Sequence, residues 1–231
     1  MLNPSATNLR VGGVTRLSSV DWPGELAATV FCQGCGWDCA YCHNPGLRPA
    51  QGKEQLSWPA IFEFLEHRRG LLDAVVFSGG DPLVQPVLAE AIAKVKALGF
   101  KIGLHTGGML PARFREVLPL LDWVGFDVKA PFDKYEATTG VAHSGEAALE
   151  SLHALLASGV RYEIRTTVHP ALLPLEDLLT LRATLLALGV THYAVQRFRT
   201  EGTRAEALPA PAAAYSLPED FANGFAHFEL R

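Results

Sequence analysis

The chain has 231 residues, 48% of them hydrophobic, and a formal net charge of -4 at pH 7, a size and balance that suit one globular domain with a large core. The mixed charge leaves no basic stripe, which argues against nucleic acid as the main ligand. The first residues, MLNPSATNLRVGG, hold no apolar stretch fit for a signal peptide, and no segment approaches the roughly 18 apolar residues of a membrane span, so a cytoplasmic protein with reduced thiols is expected.

Residues 9–20 alternate loosely and predict a leading strand or hairpin, and DWPG, Asp21 to Gly24, reads as a turn. Leu26 to Cys32 is the first barrel strand. The stretch that follows, FCQGCGWDCAYCHN, holds all four cysteines of the chain. Cys35, Cys39 and Cys42 are spaced C-x-x-x-C-x-x-C, so one short loop can turn three thiolates toward a common point. A structural zinc site usually draws two ligand pairs from knuckles about a dozen or more residues apart, whereas here only Gly36, Trp37 and Asp38 separate the halves. A cubane iron-sulfur cluster accepts widely splayed thiolates, and three ligands leave its fourth iron open for chemistry. A zinc knuckle and reduced core cysteines without metal are the alternative readings. Cys32 lies outside the spacing, as a small buried residue at a strand end.

Beyond this loop one unit repeats. Ser57 can cap a helix carrying Ile61, Phe64 and Leu65 that ends near Gly70, and AVVFSGG follows as an apolar strand. Val87, Leu88, Ala91, Ile92, Val95 and Leu98 keep helical spacing, Gly99 ends the helix, and FKIGLHT begins at once. Phe114, Val117, Leu118 and Leu121 predict a helix before WVGFDVK. Ser144 can cap a helix with Leu149, Leu152, Leu155 and Leu156, stopped by Gly159 before VRYEIRTTVHP. Leu175, Leu178, Leu179, Leu185 and Leu188 predict another, stopped by Gly189 before THYAVQRF. Six strands beginning near residues 26, 74, 100, 123, 160 and 191 thus alternate with helices, the pattern of parallel βαβ units. Six is fewer than the eight of a full barrel, so the expected fold is α/β, a partial (β/α)6 barrel of parallel strands open on one side. One domain spans 1–231, with its core at about 11–198. EGTRAEALPAPAAAYSLPED reads as an irregular connection and FAHFELR as a final short strand.

Parallel barrels place ligands at the carboxyl ends of their strands. Those ends read SGGDP (Ser78 to Pro82), HTGG (His105 to Gly108), DVK (Asp127 to Lys129), RTTVHP (Arg165 to Pro170), and Gln196 with Arg197. Alternation puts Asp127 and Lys129 on one face, and Arg165, Thr167 and His169 together likewise. Charge on the inner face of a barrel is costly unless paired or bound to a ligand.

The cysteine spacing, with Tyr41 before the last Cys and His43, Asn44 and Pro45 after it, resembles the cluster loop of the radical S-adenosylmethionine superfamily. The longer string QGCGWDCAYCHNP resembles the activating proteins of glycyl-radical enzymes, in particular those of anaerobic ribonucleoside-triphosphate reductase. The resemblance implies the same partial barrel and a [4Fe-4S] cluster on Cys35, Cys39 and Cys42, with S-adenosyl-L-methionine on the fourth iron. SGGDP resembles the superfamily's GGEP motif, which implies that Ser78, Gly79, Gly80 and Asp81 receive the cofactor's amine, Asp81 being one methylene shorter than the usual Glu. FDVKAP resembles D-x-K-x-P, implying Lys129 at the methionyl carboxylate with Asp127 beside it. RTTVHP resembles the fifth-strand motif, with Arg165 at that carboxylate or the ribose and His169 on the same face. By the same likeness His43 and Asn44 shape the adenine pocket, Tyr41 packs on the base or in the core, and Thr106 and Gln196 complete the ring of strand ends. LHTGG departs from the usual D-T-N-G: His105 replaces Asp and Gly107 replaces Asn, which puts the activases' monovalent-cation site in doubt and leaves His105 as a structural histidine.

The implied activity is reductive cleavage of S-adenosylmethionine to a 5'-deoxyadenosyl radical that takes a hydrogen atom from a glycine Cα of a protein partner. The implied partner is a glycyl-radical enzyme, first the anaerobic ribonucleotide reductase, with reduced flavodoxin or ferredoxin as electron donor. A pyruvate formate-lyase-type activase is one alternative. Another is a radical enzyme acting on a small molecule, similar to the deazaguanine synthase, although the altered cluster loop of that family is missing here. A non-catalytic iron-sulfur or zinc protein would need no polar ring at five strand ends.

Overall fold

The computed structural model describes residues 9–52, 55–203, 208 and 216–231. The segment MLNPSATN and most of the Ala- and Pro-rich connection lie outside the described residues. Eight strands form one sheet in chain order: β1 (Val11–Ser18), β2 (Ala27–Cys32), β3 (Ala74–Gly79), β4 (Lys101–Thr106), β5 (Trp123–Asp127), β6 (Arg161–Val168), β7 (His192–Arg197) and β8 (His227–Leu230). β1 pairs antiparallel to β2, and every later neighbour is parallel. The six strands expected from sequence are β2 to β7, and FAHFELR supplies β8, which extends the sheet beyond the expected six.

The helices α1 (Trp58–Glu66), α2 (Leu88–Ala97), α3 (Pro111–Val117), α4 (Tyr135–Thr139), α5 (Ser144–Ser158) and α6 (Leu175–Ala187) lie between strands. Their apolar stripes, such as Ile61 with Leu65, or Leu178 with Leu181 and Leu185, pack in one core with Val30, Phe77, Leu104, Phe126 and Val195 of the strands. Gly99, Gly159 and Gly189 follow their helices with φ of +97°, +71° and +82°, the left-handed conformation that ends a helix without a Cβ penalty. Two expected caps differ. Ser57 sits at the N-cap of α1 but makes no side-chain cap bond. His143, at φ +58°, is the N-cap of α5, and Ser144 Oγ lies 2.7 Å from Thr139 Oγ1, so the hydroxyl joins α5 to α4.

The other face of the sheet is concave and has its own small core. Ala27, Ala74, Val76 and Trp123 gather round Trp22, and the two indoles stack with centroids 5.4 Å apart. DWPG is therefore more than a turn: it folds back under the strands and fills their amino-terminal end. Small side chains at the starts of β2 and β3 leave room for the ring, and the Arg161 guanidinium of β6 lies 5.8 Å from its centroid. Contacts between strands that are not neighbours establish the inward curl: Arg165 of β6 reaches His105 of β4, and Arg231, just after β8, pairs with Glu163 of β6. The sheet is a partial barrel with its seam between β1 and β8.

Candidate active site

Strand register sets the inner face. Thr29, Val76, Gly103, Trp123 and Arg161 form one row of paired residues, and Asp127, Arg165 and Ala194 form a row nearer the carboxyl end. At that end lies a cavity of about 720 Å³, within the size range of small-molecule sites. Its wall includes the sulfur-bearing loop with Cys35, Tyr41, Cys39, Cys42, His43 and Asn44. Ser78 and Gly79 at the end of β3, Gly80 and Asp81 after it, Thr106 of β4, Asp127 and Lys129, Arg165 and Gln196 also line it. One expected residue does not. β6 ends at Val168, so strand alternation stops before His169, which is buried against Phe198 at 5.1 Å between centroids and accepts from Ala171 N through Nδ1.

The three thiols face this one cavity from a loop tightened by the Cys42 N–H donating to Cys39 O at 3.1 Å. Among the described residues no three His, Cys, Asp or Glu side chains are gathered as a single-ion site, and the three sulfurs share instead a cavity wide enough for a larger group. Burial pushes the Cys35 thiol up to about 12. Cys32 is fully buried at the end of β2, outside the cavity wall, and burial raises its thiol far above the usual range.

Opposite the loop is a charged ladder. Arg165 Nε donates to Asp127 Oδ1 at 3.0 Å, and Lys129 Nζ lies 3.6 Å from Asp127 Oδ2. Arg165 Nη2 also donates to Gly125 O at 3.2 Å, where glycine is required because a Cβ would come within 2.7 Å of the guanidinium carbon. Burial disfavours the Asp127 carboxylate, but the charges of Arg165 and Lys129 outweigh it and hold its pKa below the usual range.

His105 is structural and neutral. Burial, then the charge of Arg165, pushes it down to about 3. Its Nε2 lies 2.7 Å from Asp21 O, which can only accept, so Nε2 carries the proton and Nδ1 accepts from the Ser78 hydroxyl at 3.2 Å. The ring thus ties the inward turn to β3, and no carboxylate stands at this position to hold a cation.

Asp81 is also engaged. Its carboxylate accepts from Thr106 Oγ1 at 2.8 and 3.0 Å, from Leu83 N at 3.0 Å and from Gly107 N at 3.1 Å. Burial raises it to about 6 against the pull of these bonds. Asp81 thus holds the ends of β3 and β4 together while lining the cavity. The Thr106 hydroxyl, spent on Asp81, accepts in turn from Gly108 N at 3.0 Å.

Sequence reasoning did not single out Trp37 or Asp21, yet both line the cavity. Trp37 carried a signal, standing between two of the spaced cysteines; Asp21 sat beside a Trp in a turn, an expensive residue to leave in water. The loop after β7 closes over the sulfur-bearing loop, with His43 Nε2 3.0 Å from Arg199 O and its ring 5.8 Å from that of Phe198.

The family model of the radical SAM superfamily matches residues 29–185. A candidate glycyl-radical enzyme activating enzyme of Methanocaldococcus jannaschii is 31% identical over 195 residues, 81% of this chain and 79% of that protein. The pyruvate formate-lyase-activating enzyme of Clostridium pasteurianum is 32% identical over 169 residues, 71% of this chain and 70% of its own length. The 7-carboxy-7-deazaguanine synthase of Methanopyrus kandleri is 34% identical over a shorter 128 residues, 47% of this chain and 51% of its own. Among solved structures, QueE from Escherichia coli superposes with a TM-score of 0.55 at 17% identity over 84% of this chain and 85% of its own. SuiB of Streptococcus suis bound to S-adenosylmethionine gives 0.57 at 13% identity over 72% of this chain but only 39% of its own. At these identities the structures show the shared fold alone. No helix among the described residues is long and apolar enough to cross a membrane. The chain is an enzyme of the radical SAM superfamily, and it resembles the glycyl-radical enzyme activating enzymes within it.

Proposed function

We propose that this chain activates anaerobic ribonucleoside-triphosphate reductase by generating a glycyl radical on it, in the cytoplasm, with reduced flavodoxin or ferredoxin as the electron donor. The superfamily uses a [4Fe-4S] cluster and S-adenosyl-L-methionine, which when bound supply one-electron bond cleavage and hydrogen-atom abstraction. Cys35, Cys39 and Cys42 would hold the cluster. Lys129 and Arg165 would face the methionyl carboxylate, the backbone of Ser78, Gly79 and Gly80 would receive its amine, and His43, Asn44, Tyr41 and Gln196 would bound the adenosine. The observation that carries this reading is that three thiols and the Lys129–Asp127–Arg165 ladder line the same cavity. These residues bind and orient the sulfonium and keep solvent from it, while the seam of the partial barrel leaves a side on which a peptide loop can enter.

The test is anaerobic reconstitution with iron and sulfide, reduction with dithionite, and measurement of methionine and 5'-deoxyadenosine, followed by electron paramagnetic resonance of the partner. A glycyl doublet on the reductase is expected. No cleavage at full cluster occupancy, with and without the partner, would refute the reading. The relative from Clostridium pasteurianum supports a second target, a pyruvate formate-lyase-type enzyme, and a doublet on that protein alone would replace the first.

A further inference from the structure

Trp37 sits in the loop between Cys35 and Cys39, yet it is only 5% exposed. Its ring stands edge-on to Tyr135, with centroids 5.8 Å apart. The Lys129 ammonium lies 5.8 Å from the Trp37 centroid and 5.6 Å from that of Tyr41, with Asp127 Oδ2 at 3.6 Å. Aromatic faces attract a cation within about 6 Å, so two rings and one carboxylate surround the end of a side chain that is otherwise among the most mobile. The Tyr135 hydroxyl, 2.9 Å from Lys129 N, holds the backbone of the same residue.

The indole also meets Gly107. A Cβ at Gly107 would lie 2.4 Å from Trp37 Cζ3 and 3.1 and 3.2 Å from two further ring carbons. Asp81 holds the Gly107 N–H, so the backbone there has little freedom to retreat, and the ring occupies the space a side chain would take.

We propose that Trp37 is the positioning residue for Lys129, clamping its ammonium between Tyr41 and Asp127 so that the remaining donors meet the carboxylate of the bound amino-acid sulfonium, and that position 107 is glycine because this ring fills its side-chain volume. The proposal rests on the assignment of Lys129 to that carboxylate. A packing role alone would predict lost stability; the clamp predicts lost affinity at constant iron content.

The experiment uses the full chain reconstituted anaerobically and reads three quantities: iron content, the dissociation constant of S-adenosylmethionine by equilibrium dialysis, and, before iron is added, the urea midpoint. Lys129→Met sets the scale for loss of the ammonium. Trp37→Leu should weaken binding by about tenfold with iron content unchanged, and Trp37→Phe, which keeps an aromatic face, by about threefold or less. Gly107→Ala should weaken binding and lower the urea midpoint because the methyl displaces the indole. In a Trp37→Ala background the same methyl has room, so it should change both by little. If Trp37→Leu loses iron, Gly107→Ala decides the matter, since it leaves the cluster loop unaltered. Equal harm from Gly107→Ala in both backgrounds would overturn the proposal. So would wild-type affinity in Trp37→Leu alongside a loss in Lys129→Met. Wild-type affinity in Lys129→Met would remove the assignment of Lys129, and the proposal with it, leaving the activase reading to its own test.

Discussion

Arg165 and Asp127 face each other across β6 and β5 at 3.0 Å, with Arg165 buried and Asp127 open on one side to the cavity. Both residues line the cavity. Removing the cation would leave Asp127 with Lys129 alone, so Arg165→Met should cost about 3 kcal/mol, as expected for breaking a buried pair. Arg165→Lys keeps the charge but cannot reach Asp127 and Gly125 O together, and should cost about 1 to 2 kcal/mol. Urea unfolding near pH 7 would check both; equal stability of wild type and Arg165→Met would mean that the pair contributes nothing to folding.

Asp127 and Asp81 should give stability opposite dependences on pH. The folded state depresses Asp127, so its contribution is present above the ordinary carboxylate range and is lost as pH falls below about 4. The folded state raises Asp81 to about 6, so the native chain binds the extra proton and stability falls as pH rises from about 4 through 6. Asp81→Asn cannot ionise and should show a flatter profile between those limits. Urea midpoints taken in half-unit steps from pH 4.5 to 7.5 would reveal it. A profile parallel to wild type would show that Asp81 does not titrate in this window.

The four cysteines should separate into three and one. Cys35→Ala, Cys39→Ala and Cys42→Ala each remove a wall thiol of the cavity and should leave a labile or incomplete cluster without S-adenosylmethionine cleavage. Cys32→Ala removes a small buried side chain outside the wall and should cost about 1 kcal/mol or less, with iron content and turnover near wild type. Iron, absorbance near about 400 nm and 5'-deoxyadenosine release would be measured on all four. Equal loss in all of them would mean that Cys32 closes a four-thiolate site.

Trp22→Ala should be among the most destabilising single changes in the chain. It removes a ring that is 2% exposed, stacks on Trp123 and packs against the starts of β2 and β3. A loss of about 3 to 5 kcal/mol is expected, seen as a lower urea midpoint, and S-adenosylmethionine binding should weaken because Asp21 O no longer fixes His105. A drop below about 1 kcal/mol would show that the inner core is not well packed.

The parallel strands were legible because each is an apolar run, and three of them directly follow a glycine that ends a helix. The strand-end residues were legible as types, and twelve of the thirteen expected cofactor-binding residues lie in the cavity wall, since a period of two fixes which side chains share a face. His169 lies outside the cavity wall because the strand period stops at Val168. For Asp81 the sequence shows type and neighbours only, whereas Thr106, its hydrogen-bond partner, is twenty-five positions away and brought close by the register of β3 and β4. The five-residue α4 escaped notice because one helical turn holds too few residues for a 3.6-residue period to emerge. Trp22 was hidden inside a turn motif, where Pro23 and Gly24 gave the stronger local signal.

Among the described residues, Trp22 stacked on Trp123 fills the amino-terminal end of the barrel. On the function proposed above, small molecules would reach the cavity from the carboxyl end or along the seam between β1 and β8, the side on which a protein substrate would dock. Under that proposal the sulfonium would have to be in place before the large partner covered it, and the spent methionine and nucleoside would wait behind that partner until it departed.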